Sequence, residues 1–95
     1  MTYNLKFLPQ ALKEWKKLAS VLQQQFKKKL AERLKDPRIE AHRLSGFKDC
    51  YKIKLKSSGY RLVYQVIDRK ICIVVIGIGK REGGEIYETA KDRLG

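Results

Sequence analysis

Lys52, Lys54 and Lys56 occupy every second position of one short stretch. Arg61 follows closely, and Lys80, Arg81 and Tyr87 come further on. Alternate residues of a strand point to the same side, so the three lysines form a row of cations. Like charges side by side on a sheet repel and destabilise it. Such a row therefore implies an anionic partner. Phosphate fits, because Arg presents a planar bidentate fork and Lys a compact charge. A ring such as Tyr87 can stack on a base if that partner is a nucleic acid. The competing explanation is a solubilising row that protects an edge strand. The arginines expected on neighbouring strands favour phosphate.

Other chemistries find little support. His42 is the single histidine, and Cys50 and Cys72 are the two cysteines, too few for a four-ligand zinc site. No Ser-His-Asp set, phosphate loop or paired-carboxylate site stands out. Cys72 lies in an apolar run and reads as a small hydrophobe. Two free thiols in a reducing cytoplasm is the expected state, with a Cys50–Cys72 disulfide as the alternative. His42 reads as a surface residue outside the cation cluster, and Trp15 as core.

The elements that must position these residues follow from periodicity. Tyr3 to Phe7 alternates apolar and polar, as a short half-buried strand does. Pro9 suits a first helical turn, and Leu12, Trp15, Leu18 and Ala19 recur at helical spacing. Ser20 is placed to cap a second helix, whose stripe of Leu22, Phe26, Leu30 and Leu34 is one apolar face. Asp36-Pro37 stops it. The two helices should form a hairpin with its lysines in water. Residues 37–50 read as irregular, with Leu44 and Phe47 as core plugs around Gly46. Strands are expected over 51–56, 60–67 and 71–79, the last apolar on both faces and therefore central. Gly83-Gly84 breaks the chain, and Ile86, Ala90 and Leu94 mark a short final helix. The order is β-α-α-β-β-β-α, an α+β domain with a helical hairpin packed on a small, mainly antiparallel sheet.

With a two-residue Ser58-Gly59 turn, Lys56 faces Arg61 and Lys54 faces Val63. Lys52, Lys54, Lys56 and Arg61 then share one face, and Tyr51, Ile53, Leu55, Leu62 and Tyr64 the other. A one-residue slip would put Leu62 and Tyr64 among the lysines, which burial forbids. Lys80-Arg81 should leave the third strand near Arg61. The expected result is a concave basic face of Lys52, Lys54, Lys56, Arg61, Lys80 and Arg81 with Tyr87 at its rim.

Composition sets the limits. The chain has 95 residues, 22 Lys+Arg and 10 Asp+Glu, a formal net charge of +12, and 43% hydrophobic residues. It is a single domain over residues 1–95, apolar enough to fold. Its longest apolar run, Ile71 to Ile78, is too short to span a bilayer. The start MTYNLKFLPQ has no apolar h-region of a secretion signal, so a cytoplasmic location without membrane contact is expected. The charge suits an anionic partner. Lys27-Lys28-Lys29 points several ways around one helical turn and reads as a solvated face that aids long-range steering.

These residues resemble the RelE toxin family, within the RelE/ParE superfamily of type II toxin–antitoxin systems. The likeness runs along nearly the whole chain: ALKEWKKL, KDPRIEAHRLSG, CYKIKLKSSGYRLVYQV, then GKRE with Tyr87 downstream. It implies a microbial-RNase-like fold and a ribosome-dependent endoribonuclease that enters the A site of the 70S ribosome and cuts mRNA. The implied catalytic set is Lys52, Lys54, Arg61, Arg81 and Tyr87, with no cofactor and no metal. Lys56, Lys80, Lys13, Lys16 and Lys17 are expected to bind RNA. The resemblance further implies a RelB-like antitoxin, acidic where it docks, through which the pair would bind operator DNA and repress its own operon. Ser45 and Gly83-Gly84 depart from the basic and polar residues expected at those places.

The implied step is attack of a 2′-OH on its adjacent phosphate. It needs a base, an acid for the leaving 5′-oxygen, and donors for the charge on phosphorus. A lysine serves as base where crowded cations favour its neutral form. Lys54 is the candidate base with Lys52 supporting it, and the two roles are interchangeable at this level. Arg61 stabilises transition-state charge, Arg81 contacts phosphate near the leaving group, and Tyr87 stacks on a base and turns the backbone toward in-line attack. Two alternatives stay open: a ParE-like gyrase poison, and a non-catalytic RNA-binding module.

Overall fold

Local sequence signals account for most element boundaries. The computed structural model describes residues 2–80 and 84–95. Strand β1 (Asn4–Phe7) leads into α1 (Pro9–Lys17), where Pro9 opens the first turn and gives up a donor that had no helical partner. Two residues later α2 (Ser20–Lys35) begins. Ser20 is its first helical residue and does not cap it. Ala19 holds the cap position, with no side-chain hydrogen bond. The helix ends before Pro37, which bars Asp36 from helical backbone. After a single 3-10 turn (Glu40–His42) come β2 (Cys50–Lys54), β3 (Tyr60–Ile67), a second 3-10 turn (Asp68–Lys70), β4 (Cys72–Lys80) and α3 (Glu85–Leu94). Gly84, with φ +76, occupies the left-handed position from which α3 starts.

The four strands form one sheet in the order β1-β4-β3-β2. β4 is interior, as its apolar run predicts. β1 lies parallel to it and the other pairs are antiparallel.

The β2–β3 register differs from the expectation by two residues. Lys54, and not Lys56, stands opposite Arg61. A tight turn would force a left-handed backbone on Ser58. Instead Gly59 alone adopts it (φ +75), and the loop 56–59 is closed by the Leu55 N–H donating to the Tyr60 carbonyl at 2.9 Å. A shift of two leaves every side chain on its own face. Lys52, Lys54 and Arg61 therefore stay together, while Lys56 moves off the strand into the loop.

Each face of the sheet has its own core. Ala11, Phe26 and Leu30 pack on Tyr51, Ile53, Leu62, Tyr64, Ile73 and Val75 on one side, with Trp15 wedged between Phe7 and Phe26. Ile86 and Ala90 of α3 pack on Val63, Ile76, Cys50 and Leu44 on the other. Gly77 makes the second contact possible: a Cβ there would meet the Ile86 side chain and the Arg93 guanidinium at 3.2 Å each. Cys50 and Cys72 are buried and free, which excludes the disulfide. Burial pushes the Cys50 thiol up to about 11.

Candidate functional site

The cation cluster lies on the side of the sheet that α3 covers. Direct cross-strand pairing sets Lys54 against Arg61 and Lys52 against Val63, and Arg61 is flanked on its other side by Gly79 of β4. Lys52 and Lys54 are half-buried. Arg61 is only 9% exposed, and among the described residues its buried Nε has no hydrogen-bond partner. Among the described residues neither Lys54 nor Arg61 forms an ion pair. A buried donor left without an acceptor is costly. An arriving phosphate would supply the missing acceptors in the geometry the fork prefers.

Tyr87 lies in the first turn of α3, where its N–H donates to the Gly84 carbonyl at 3.0 Å. It is half-buried against the core that contains Val63 and Ile76, on the same side of the sheet as Arg61. Arg81 falls outside the described residues, as does Gly83.

Lys80 is a correction. It pairs with Tyr60, and its Nζ sits 5.7 Å from the Tyr60 ring centroid. Tyr60 packs on the core beneath α1 and α2. Cross-strand partners share a face, so Lys80 points away from Arg61 and does not join the basic face. Lys13, Lys16 and Lys17 are exposed on α1, a helix whose buried Ala11 belongs to that same opposite core.

The placement of α3 rests on a polar clamp that sequence reading did not find. Arg93 donates to both carboxylate oxygens of Glu14, at 2.8 and 3.0 Å, and to the Ile76 carbonyl at 2.9 Å. Glu14 Oε1 also accepts the Ile78 N–H at 3.1 Å. β1 ends opposite Val75. Beyond that point Glu14 and Arg93 satisfy the otherwise open edge of β4. Nothing in local sequence links residues this far apart.

The outer edge of β2 is also occupied. Arg33 donates to the Lys52 carbonyl at 3.2 Å and to the Tyr64 hydroxyl at 2.8 Å, and the Leu44 N–H donates to the Cys50 carbonyl at 2.9 Å. His42 is half-buried beside this edge, closer to the lysines than a plain surface residue would be. Burial, then the charges of Arg33, Lys52, Lys54 and Lys29, hold its pKa below the ordinary imidazole value. One signal for the edge was legible: Lys29 and Arg33 are four apart and share a helix face.

Comparison with known proteins bears on what this face does. Residues 5–83 match the family described as ParE toxin of the type II toxin–antitoxin system parDE. The chain belongs to the RelE/ParE family of type II toxins. Within the family it is 60% identical over 94 residues to the mRNA interferase toxin RelE of Escherichia coli strain K12, covering 99% of both chains. It superposes on a double-arginine mutant of E. coli RelE in the free state with a TM-score of 0.92, at 58% identity and 99% coverage of each chain. RelE in the intact E. coli RelBE toxin–antitoxin complex matches with a TM-score of 0.82 and 62% identity, covering 84% of this chain and 98% of that one. The α+β topology is thus that of the RelE toxins, as the resemblance implied.

Proposed function

We propose that this RelE-family chain is the toxin of a type II pair, restrained by a RelB-like antitoxin, and that it cleaves mRNA in the ribosomal A site. The supporting observation is the buried Arg61, whose Nε has no acceptor among the described residues, directly opposite Lys54. Lys54, supported by Lys52, takes the proton of the 2′-OH. The 2′-oxygen bonds to phosphorus as the bond to the 5′-oxygen breaks, the leaving 5′-oxygen takes a proton from water, and Arg81 contacts the phosphate near the leaving group. Arg61 carries the charge that develops on the phosphoryl oxygens. Tyr87 stacks on the base next to the cut. No step calls for a metal or cofactor.

The set is poor in ordinary acid–base groups, which suits a reaction whose alignment comes from the ribosome. Among the described residues no helix is long and apolar enough to cross a membrane, in keeping with action on cytoplasmic ribosomes. Repression of the operon together with the antitoxin belongs to the same reading. Primer extension on translating ribosomes tests the whole. Discrete, codon-positioned cuts are expected, with little cutting of the same RNA free in solution. Equal cleavage of both would remove the ribosome from the mechanism. DNA damage with intact mRNA would support the gyrase alternative instead.

A further inference from the structure

The run Lys27-Lys28-Lys29 plays no part in that reaction, and the fold divides it. Lys27 borders a small apolar pocket with Leu5, Trp15 and Leu34. Lys28 and Lys29 instead join Arg33, His42, Lys54 and Lys56 around a groove of about 940 Å³ between α2 and the edge of β2. Glu32 and Asp36 are the carboxylates that line it, so five cations outweigh two acids. Burial first, and then the charges of Arg33, Lys52, Lys54 and Lys29, hold the His42 pKa below its ordinary value.

Two observations select the occupant. A peptide adding a strand to β2 would need the edge carbonyls, and those of Cys50 and Lys52 are already taken by Leu44 and Arg33. Recognition is left to a line of side-chain charges. From Gln25 to Asp36 the helical wall runs about 17 Å at 1.5 Å per residue, long enough for consecutive phosphates. Lys54 belongs both to this groove and to the Arg61 face, so a chain leaving that face at Lys54 enters the groove directly.

We propose that the groove between α2 and β2 is a second RNA-binding site, which holds backbone phosphates of the single strand continuing from the cleavage face at Lys54. This rests on the mRNA-cleavage reading and extends it to residues that reading does not use. Arg33, fixed by the Tyr64 hydroxyl and the Lys52 carbonyl, is the preorganised member. Lys28, Lys29 and Lys56 are the exposed ones.

The test measures fluorescence anisotropy of a labelled single-stranded RNA of about 12 nucleotides, within the usual site sizes, titrated with full-length toxin at several salt concentrations. Each phosphate contact to a single strand contributes about 0.7 to the slope of log affinity against log salt. Lys28→Gln/Lys29→Gln should weaken binding and make the slope shallower by about 1.4, and Lys56→Gln by about 0.7. Arg69→Gln/Lys70→Gln removes the same charge from the β3–β4 turn and should leave the slope nearly unchanged. An unchanged slope in the groove variants overturns the proposal. So does an equal loss in the control pair, which would mean diffuse attraction. Loss of antitoxin binding with the RNA slope intact also overturns it and assigns the groove to a protein partner. Cleavage on ribosomes is scored separately with the wild type: its absence removes the cleavage reading, while the slopes still report on the groove.

Discussion

Beneath α1 and α2 the sheet carries Tyr51, Tyr64 and Ile73, α2 sets Phe26 and Leu30 against them, all with almost no exposure, and two helices seal that face. The other face is covered by α3 and by the loop residues Leu44 and Phe47. It divides its surface between a smaller core around Val63, Ile76 and Ile86 and the row Lys52, Lys54 and Arg61. The same β3 strand serves both sides: Leu62 and Tyr64 point into the larger core, Arg61 and Val63 into the other. The comparison shows how a chain this small maintains a cluster of cations on one face. Apolar burial on one face supplies the stability that the opposite face gives up.

The largest effect should come from breaking the sealed face. Phe26→Ala removes a fully buried ring and should cost about 3–5 kcal/mol, a large share of a typical domain's stability. Chemical denaturation would show it as a lower midpoint. A cost below about 1 kcal/mol would mean that this core is not the stabilising one.

Arg61→Lys tests the basic face. It retains the charge and loses the fork. Ribosome-dependent cleavage should fall by about 100-fold, the order seen when one transition-state donor is removed. The melting temperature should not fall, since among the described residues no ion pair of Arg61 is lost. Full activity would reduce the face to simple electrostatic binding.

The clamp between the faces is the third target. Glu14→Gln leaves Arg93 without its carboxylate and should loosen α3, at a cost of about 1–2 kcal/mol for a partly exposed pair. Amide exchange in α3 should speed up while that of β3 stays slow. Cleavage should become less sensitive to Tyr87→Ala, because a loosened α3 already misplaces the ring. Uniform acceleration of exchange would make the clamp a general stabiliser rather than a positioning device.

The smallest effect concerns pH and lies far from the site. Asp68 accepts from Tyr3 at 2.6 Å and pairs with Arg38 at 2.6 Å, and these partners, the Tyr3 hydrogen bond first, lower its pKa. A depressed folded-state value contributes stability above the unfolded value of about 3.9 and loses it as pH falls through the folded one. The melting temperature of the wild type should therefore exceed that of Asp68→Asn near neutrality, with the gap closing below about pH 4. A gap that persists in acid would mean that the charge of Asp68 is irrelevant.

Patterns of short range were legible in the chain. Alternation over 51–55 separated Lys52 and Lys54 from Tyr51, Ile53 and Leu55, because side-chain parity in a strand is local. Pro9 and Pro37 bounded the helices through their own backbone restrictions. The β2–β3 register was two residues out, since loop conformation depends on which residue accepts a left-handed backbone, and Gly59 alone did so. That error moved Lys56 but spared the faces, as a shift of two must. Lys80 was misplaced because its parity follows from pairing with Tyr60, a contact between strands.

The sequence by itself determined the elements, the sidedness of each strand and the set of residues with chemistry to offer, because those depend on neighbours a few positions away. The tertiary structure decided which cations meet. It set Lys54 against Arg61 and buried the Nε of that guanidinium. It turned Lys80 to the other side and clamped α3 through Glu14 and Arg93. It split a lysine run so that two of its members line a groove. All of these depend on contacts between residues distant in the chain, which only a completed sheet and its packed helices bring together.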